Sequence, residues 1–362
     1  MKHIENSHEY SGLAVNSGVS QPPSVNPYMQ RRKRKPLPSS SELVEGILKG
    51  DVTMLSRAVT LVESLSPSHQ TVAQEVIEKC LPYSGNSRRI GITGVPGAGK
   101  STSIDVFGLH VLKDGGKLAV LAIDPSSERT KGSILGDKTR MEKLAVHPNA
   151  FIRPSPSAGS LGGVARKTRE TIVLCEAAGF NNIFVETVGV GQSETAVHSM
   201  VDFFLLIQLA GTGDELQGIK RGIMEMADGI VINKADGENI KPAQLAQAQF
   251  RSALQLFPPT ASGWKPEVLT YSGYFELGIP EVWDMVDRYF DFVTANGYFD
   301  IKRRQQARYW MLETIDEQLR NHFYHNPDIA AMLAEKEQLV LSNKLSSFIA
   351  ARDVLQAYFS QK

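Results

Sequence analysis

Residues 94 to 102 have the types and spacing of a loop that binds a nucleoside triphosphate. Two glycines five positions apart, with Lys100 and Ser101 after the second, complete the pattern G-x-x-x-x-G-K-[ST]. Such a loop points successive N–H groups at phosphate oxygens, and the helix behind it turns its positive end toward the same anion. Lys100 can reach the β- and γ-phosphates, and the Ser101 hydroxyl can coordinate Mg²⁺. The predicted loop residues are Gly94, Val95, Pro96, Gly97, Ala98, Gly99, Lys100, Ser101 and Thr102.

A second motif, Asn233-Lys234-Ala235-Asp236, predicts which base is bound. The Asp236 carboxylate only accepts hydrogen bonds, which suits N1–H and the 2-amino group of guanine, whereas adenine offers neither donor there. We expect Asn233 to fix the loop and the Lys234 stem to lie along the base, so that the ligands are GTP and GDP. Backbone N–H groups after the next strand are expected to reach guanine O6, although a plain turn would have the same composition; these residues are Ser272, Gly273 and Tyr274.

Acidic residues at two other predicted strand ends suit a magnesium site beside Ser101. Asp124 follows one apolar run, and Glu186 ends another. Carboxylates near the phosphate loop can hold Mg²⁺ directly or through water. Asp137 lies in a glycine-rich stretch that has the composition of a loop ordered by the γ-phosphate. The alternative is that Asp124 and Glu186 only cap turns and that Asp137 only caps the next helix.

The segment after Glu186 bears on hydrolysis. The N–H of Gly189 is expected to contact the γ-phosphate, so the predicted catalytic residues are Lys100, Asp137, Glu186 and Gly189. Val190 stands where Ras-like GTPases carry a glutamine that orients the attacking water. Valine cannot align water. We therefore predict slow intrinsic hydrolysis, with the water organised by Gln192 or by a partner protein.

The elements that must position these residues alternate between strand-like and helix-like patterns. Several of the strand-like runs are apolar on both faces, which predicts an α/β fold with a mostly parallel central sheet covered by helices. Its ligand should lie across the carboxyl ends of the strands. The predicted strands are 90–93, 118–123, 150–152, 182–186, 202–209, 229–233 and 268–271.

Four regions are predicted along the chain: a disordered basic tail (1–40), an N-terminal helical module (41–85), the nucleotide domain (86–295) and a C-terminal helical region (296–362). Residue Asp51 is expected to cap the second helix of the N-terminal module. Two apolar stripes in the last region, around Trp310 and Phe348, either pack onto their own domain or form a homodimer. We favour the homodimer.

Composition excludes several classes of function. Lys plus Arg and Asp plus Glu both number 39, so no net charge indicates a nucleic-acid or membrane partner. Cys80 and Cys175 have no paired spacing, which fits a reducing compartment. No apolar run is long enough to span a bilayer, and the first residues lack a signal-peptide pattern, so we expect a cytoplasmic protein.

Together these segments resemble the MeaB/ArgK/MMAA group of P-loop GTPases, which are P-loop NTPases of the SIMIBI type. The segment Glu-Thr-Val-Gly-Val-Gly-Gln-Ser is highly characteristic of the group, and the resemblance runs from about residue 41 to the end. Ser272-Gly273 in place of the usual Ser-Ala and the basic tail are the departures. The matching stretches are 94–102, 122–127, 132–141, 186–194, 214–225 and 233–236.

The resemblance implies a GTP-hydrolysing chaperone of methylmalonyl-CoA mutase that gates delivery of adenosylcobalamin and protects or reactivates the mutase. It implies that Asp124 and Glu186 serve Mg²⁺ and that Asp137 lies in a first switch. It also implies a third switch that couples to the mutase; from the sequence alone the same loop could be a surface connection. The third-switch residues are Asp214, Gln217 and Lys220.

Two other functions compete with this interpretation. A phosphotransferase for a transport-related protein would need a base aimed at an acceptor hydroxyl and would usually read adenine. A metal-insertion GTPase would carry clusters of histidine and cysteine to hold the metal. The eight histidines are scattered along the chain, and the two cysteines lack metal-ligand spacing.

Overall fold

A central sheet of seven strands organises the protein. The computed structural model describes residues 37–113, 115–123, 141–154, 161–187, 193–211 and 221–360. The strands are β1 (Arg88–Gly94), β2 (Leu118–Ile123), β3 (Ala150–Arg153), β4 (Asn182–Thr187), β5 (Phe203–Leu209), β6 (Gly229–Asn233) and β7 (Glu267–Thr270). Their order is β3-β2-β4-β1-β5-β6-β7, and every strand pair within the described ranges is parallel. The predicted parallel α/β fold is confirmed.

Helices precede, connect and follow the strands within one compact unit, Ser39–Lys362. Those before the sheet are α1 (Ser40–Leu48), α2 (Val52–Glu63) and α3 (Pro67–Cys80). Those between strands are α4 (Lys100–Leu112), α5 (Glu142–Ala145), α6 (Leu161–Ala177), α7 (Ser193–His198), α8 (Arg221–Met226) and α9 (Ile240–Leu254). Those after the sheet are α10 (Ile279–Ala295), α11 (Tyr298–Tyr324), α12 (Pro327–Leu341) and α13 (Ser347–Phe359).

The two faces of the sheet carry separate apolar cores. Strand β2 is buried at all of its positions, and its residues alternate between the faces. Leu121 and Ile123 join the core under α1, α2, α3, α6 and α7, while Leu118 and Val120 join the core under α4 and α10. Burial on both faces is why this strand has no polar position.

Local side-chain contacts fix the starts of the first two helices. The Ser39 side chain accepts from the Glu42 N–H while the Glu42 carboxylate accepts from the Ser39 N–H, which is a capping box. The Asp51 carboxylate accepts from the N–H groups of Thr53, at 2.7 Å, and Met54, at 3.3 Å. The predicted cap at Asp51 is therefore present, and it satisfies two N–H groups that have no partner within the helix.

A buried polar seam joins α11 to the amino edge of the sheet; we define it by Asp202, Glu176, Lys302 and Arg303. Arg303 Nε donates to Asp202 Oδ1 at 2.5 Å, and its Nη2 donates to Asp202 Oδ2 at 2.7 Å. Lys302 Nζ donates to the Asp202 carbonyl oxygen at 2.6 Å. The Glu176 carboxylate accepts from Arg89 Nε at 2.8 Å and lies 3.5 Å from Arg303 Nη1. Buried charges are tolerated only when paired in this way.

The next turns of α11 hold the turn between α7 and β5. Gln306 Nε2 donates to the Val201 carbonyl oxygen at 2.7 Å, and Trp310 Nε1 donates to that of Ser199 at 3.0 Å. Beyond Trp310, α11 carries apolar side chains that are at least partly exposed. They include Met311, Leu312, Ile315 and Leu319.

No helix in the part of the chain that the structure describes is long and apolar enough to cross a membrane.

Candidate nucleotide-binding site

The loop between β1 and α4 has the backbone that the glycine spacing predicts. Gly97 and Gly99 have φ angles of +77° and +86°, in the left-handed region that favours glycine. Close approach excludes a side chain at two positions: a Cβ at Gly94 would lie 2.3 Å from the Ile207 carbonyl oxygen, and one at Gly99 would lie 2.7 Å from Asn233 Nδ2. Helix α4 then starts at Lys100, so its amino end adjoins the loop. Such an arrangement favours a bound anion.

Lys100 lies across the mouth of this loop. Its Nζ donates to the carbonyl oxygen of Gly94 at 2.8 Å. Burial lowers the pKa of the Lys100 ammonium, and the negative charges of Glu186 and Glu194 oppose that shift. A cation held at the amino end of a helix, beside a loop of backbone N–H groups, is suited to phosphate oxygens.

Asn233 ties the phosphate loop to the predicted base loop. Its side chain is only 3% exposed. Nδ2 donates to the Ala98 carbonyl oxygen at 2.7 Å, while Oδ1 accepts from the N–H of Lys234 at 2.7 Å and of Gly273 at 3.0 Å. One amide therefore fixes three segments relative to each other. Lys234 has a φ of 60°, an uncommon conformation for a residue with a side chain, and its side chain is exposed.

The Asp236 carboxylate is oriented by the following loop. The Ser272 hydroxyl donates to Asp236 Oδ2 at 2.6 Å and accepts from the Phe275 N–H at 3.2 Å. Ser272 is fully buried, and its N–H and carbonyl pair with Leu277. Asp236 itself is only partly buried. Its carboxylate can thus accept hydrogen bonds from a ligand while the serine holds it in place.

The N–H groups of Ser272 and Gly273 are engaged within the protein, the first to the Leu277 carbonyl oxygen and the second to Asn233 Oδ1. The prediction that this loop supplies N–H donors to guanine O6 stays a prediction. Tyr274, the third residue named for that role, has a side chain that is 81% exposed beside Phe275.

The carboxyl ends of β1 and β4 bring Glu186 close to the phosphate loop. Ile92 of β1 is in register with Glu186 of β4, and the Thr93 and Thr187 hydroxyls lie 2.9 Å apart. Glu186 is buried, whereas Ser101 at the start of α4 is partly exposed. The donor set of a carboxylate and a hydroxyl fits Mg²⁺, which prefers oxygen ligands.

Several residues predicted from the sequence lie outside the described ranges. They come from the segments that follow β2, β4 and β5 in the chain. Their predicted roles stay predictions. These residues are Asp124, Asp137, Gly189, Val190, Gln192, Asp214, Gln217 and Lys220.

Sequence reasoning missed two features of this site. Ser272 was expected to contribute only its backbone N–H, and its hydroxyl was given no role, because no local pattern pairs it with a carboxylate 36 residues earlier. Glu194 was assigned no role, although it is buried at the start of α7. Its burial could have been suspected, because Val197 and Val201 follow it at helical spacing.

A parallel sheet with a glycine-rich loop after β1, a partly buried carboxylate after β6 and an acid at the end of β4 is the arrangement of a P-loop GTPase. The chain matches the family described as "Methylmalonyl Co-A mutase-associated GTPase MeaB" over residues 55–328. The protein belongs to this MeaB/ArgK/MMAA family, so it is a GTPase that binds guanine nucleotides.

Relatives of known sequence or structure agree with this assignment. The chain is 51% identical to a probable GTPase of Mycobacterium tuberculosis over 87% of this chain and 94% of that protein. It is 44% identical to the mouse "Methylmalonic aciduria type A homolog, mitochondrial" over 88% of this chain and 79% of that protein. A crystal structure described as "LAO/AO transport system kinase" is similar with a TM-score of 0.71 at 38% identity, covering 89% of this chain and 98% of that one.

Proposed function

We propose that the protein is a GTP-hydrolysing chaperone that gates adenosylcobalamin delivery to methylmalonyl-CoA mutase, or a related mutase, and protects or reactivates it. The observation that carries this proposal is membership of a family described as mutase-associated GTPases, over residues 55–328. The name of the mouse relative, which refers to methylmalonic aciduria, supports the same client.

In this proposal the nucleotide joins parts of the site that different strands supply. Lys100 and the loop N–H groups bind the phosphates, and Asp236 reads guanine while Ser272 holds the carboxylate. Ser101, Glu186 and Asp124 hold Mg²⁺, whose charge offsets that of the triphosphate. Hydrolysis is slow in the isolated protein and is stimulated by the mutase, which the proposed third-switch residues Asp214, Gln217 and Lys220 contact.

We also propose a homodimer through the C-terminal helices. Large apolar side chains on α11 and α13 remain exposed in the single chain, and a second copy would cover them. The support is the position of these side chains on helices that follow the complete sheet. They include Leu312 at 47%, Leu319 at 57% and Phe348 at 86% exposure. Light scattering at micromolar concentration should give the mass of two chains, and a monomeric mass would contradict this part of the proposal.

The experiment that tests the proposal is GTP turnover by the purified protein, alone and with an adenosylcobalamin-dependent mutase from the same organism, with ATP as the control nucleotide. We expect slow turnover of GTP only, which rises sharply when the mutase is added. Stimulation that disappears when the mutase is replaced by an unrelated protein would identify the client. The absence of any effect of the mutase would contradict the chaperone role and leave the GTPase.

A GTP-dependent phosphotransferase is the second candidate, because the similar crystal structure is described as a transport system kinase. Turnover in the presence of γ-labelled GTP distinguishes the two functions. A hydrolase releases the label as inorganic phosphate, whereas a kinase transfers it to an acceptor. We expect inorganic phosphate in amounts equal to the GDP formed, and label on a protein acceptor would favour the kinase.

A further inference from the structure

Three largely buried arginines near α6 and α11 differ in how their charges are paired. The side chains of Arg89, Arg169 and Arg303 are 6%, 6% and 14% exposed. Arg89 donates from Nε and Nη2 to the two carboxylate oxygens of Glu176, and Arg303 donates in the same way to Asp202. Such bidentate pairs, with two parallel N–H donors on one carboxylate, stabilise a buried guanidinium.

Arg169, on α6, has no such carboxylate among the described residues. Its guanidinium donates one hydrogen bond there, from Nε to the Ala165 carbonyl oxygen at 3.3 Å, and Nη1 has no partner. Glu313 Oε2 lies 3.8 Å from Nη2, which is beyond hydrogen-bond distance. The guanidinium also lies 5.9 Å from the centre of the Trp310 ring, a contact that offers no hydrogen-bond acceptor.

The pKa values of these arginines agree with the difference in pairing. Burial lowers the pKa of the Arg169 guanidinium, and the charge of Glu313 opposes the shift without reversing it. Burial acts in the same direction on Arg303, but there the charge and hydrogen bonds of Asp202 outweigh it, so the pKa of Arg303 is raised. The charge of Arg169 is therefore incompletely compensated by the carboxylates around it.

An open cleft of about 130 Å³ lies beside the Arg169 guanidinium. The buried residues Ala165 and Arg169 form its floor, while Thr195, Tyr309 and Glu313 are its most exposed lining residues and form its rim. This volume corresponds to about four water molecules at roughly 30 Å³ each, which is enough for a carboxylate or a phosphate group. The cleft thus combines room for a small anion with a buried cation that lacks one.

We propose that this cleft, between α6, α7 and α11, binds a small oxyanion through Arg169. The oxyanion is a carboxylate or phosphate group, because the planar guanidinium offers parallel N–H donors that match either one. Glu313 limits the affinity, because its carboxylate lies near Nη2 at the rim and repels an entering anion. The site is distinct from the phosphate loop, which joins β1 to α4 and does not line this cleft.

Thermal unfolding at constant ionic strength tests the proposal, with inorganic phosphate and acetate as probes and sodium chloride as the reference salt. Excess GDP and Mg²⁺ keep the phosphate loop occupied. We expect at least one probe to raise the melting temperature saturably, by about 2 °C at ten times its dissociation constant. The tighter probe identifies the ligand as a carboxylate or a phosphate.

Variants of the cleft assign the effect to its residues. Arg169→Lys keeps the charge but loses the planar fork, so the half-saturating anion concentration should rise at least tenfold. Glu313→Gln removes the repelling charge and should lower that concentration about threefold. Asp316→Asn, an exposed position on the same helix, is the matched control and should leave it unchanged.

Two results would overturn the inference. One is the absence of a saturable rise in the wild-type protein at millimolar phosphate and acetate, an outcome that depends on no variant. The other is a rise that Arg169→Lys retains in full, which would be a general salt effect. A rise lost in Lys100→Ala but kept in Arg169→Lys would likewise place the anion in the phosphate loop and refute the site. Should Arg169→Lys not fold, the comparison of Glu313→Gln with Asp316→Asn decides in its place.

Discussion

The hydrogen bond between Ser272 and Asp236 makes a quantitative prediction about base recognition. Its length of 2.6 Å and the full burial of Ser272 indicate that the hydroxyl proton is directed at the carboxylate. Replacing Ser272 by Ala removes this donor and leaves Asp236 Oδ2 without its orienting partner. The Asp236 carboxylate then has to be ordered by the base itself, at a cost in conformational entropy.

The size of the effect follows from the chemistry of the contact. Hydrogen bonds to charged groups contribute about 1.5–3 kcal/mol. In the free variant, water can take the place of the hydroxyl, so we expect the lower part of this range, about 1.5 kcal/mol, to appear as lost affinity. This corresponds to roughly a tenfold weaker affinity for GDP. IDP has N1–H but no 2-amino group and makes one of the two contacts, so its affinity should fall only about threefold.

Calorimetric titration of wild type and Ser272→Ala with GDP and IDP measures both effects. The same titrations in the Asp236→Ala background complete a double-mutant cycle, in which removing the hydroxyl should cost almost nothing. A tenfold loss that persists without the Asp236 carboxylate would refute our reasoning. It would show that Ser272 acts by holding the Phe275 N–H and the shape of its own loop.

Three further predictions concern activity and stability. Replacing Lys100 by Ala should reduce GTP turnover at saturating nucleotide at least tenfold, and normal turnover would contradict the proposed site. Arg303→Met should lower the free energy of unfolding by about 3–5 kcal/mol, because it leaves the Asp202 carboxylate buried without its main partner. Arg304→Met, at the exposed neighbouring position, is the control. Equal melting temperatures of the two variants would argue against a stabilising role of the seam. Burial lowers the pKa of His198 to about 4 from 6.5, so the unfolded chain binds the proton first as pH falls. Stability should therefore fall by up to about 1.4 kcal/mol per pH unit from pH 6.5 down to 4, and His198→Phe should flatten that part of the denaturation profile.

The strands were predictable because local composition determines them. All seven predicted strands are present, with ends that differ by at most two residues. The predicted start of β5 at Asp202 was one residue early. The Asp202 N–H donates to the Arg89 carbonyl oxygen, but its carboxylate serves the polar seam, and the ladder begins at Phe203. The apolar pattern of β5 gives no sign of this, because the partners of Asp202 are distant in the chain.

The C-terminal region shows the limit of sequence patterns more clearly. Helix α11 begins with several basic residues, and the local pattern names no partner for them. Two of those residues, Lys302 and Arg303, are instead largely buried against Asp202, about 100 positions earlier: Lys302 donates to its carbonyl oxygen and Arg303 to its carboxylate. Local spacing carries no information about such pairs. The phosphate loop and the loop at residues 233–236 could be recognised because their chemistry depends on neighbouring residues in the sequence, whereas the contacts that orient these loops come from several strands.

The polar seam decides where this chain can be cut. A shortened protein that ends before α11 would leave the buried Asp202 carboxylate without Arg303 and would leave Glu176 with Arg89 alone, so a minimal GTPase ending near residue 297 should not fold. A variant designed to disturb the proposed homodimer without losing GTP hydrolysis has to keep the first turns of α11, through Trp310. Chain termination at the break before α12, where Asn326 caps the next helix, is the natural place to attempt this.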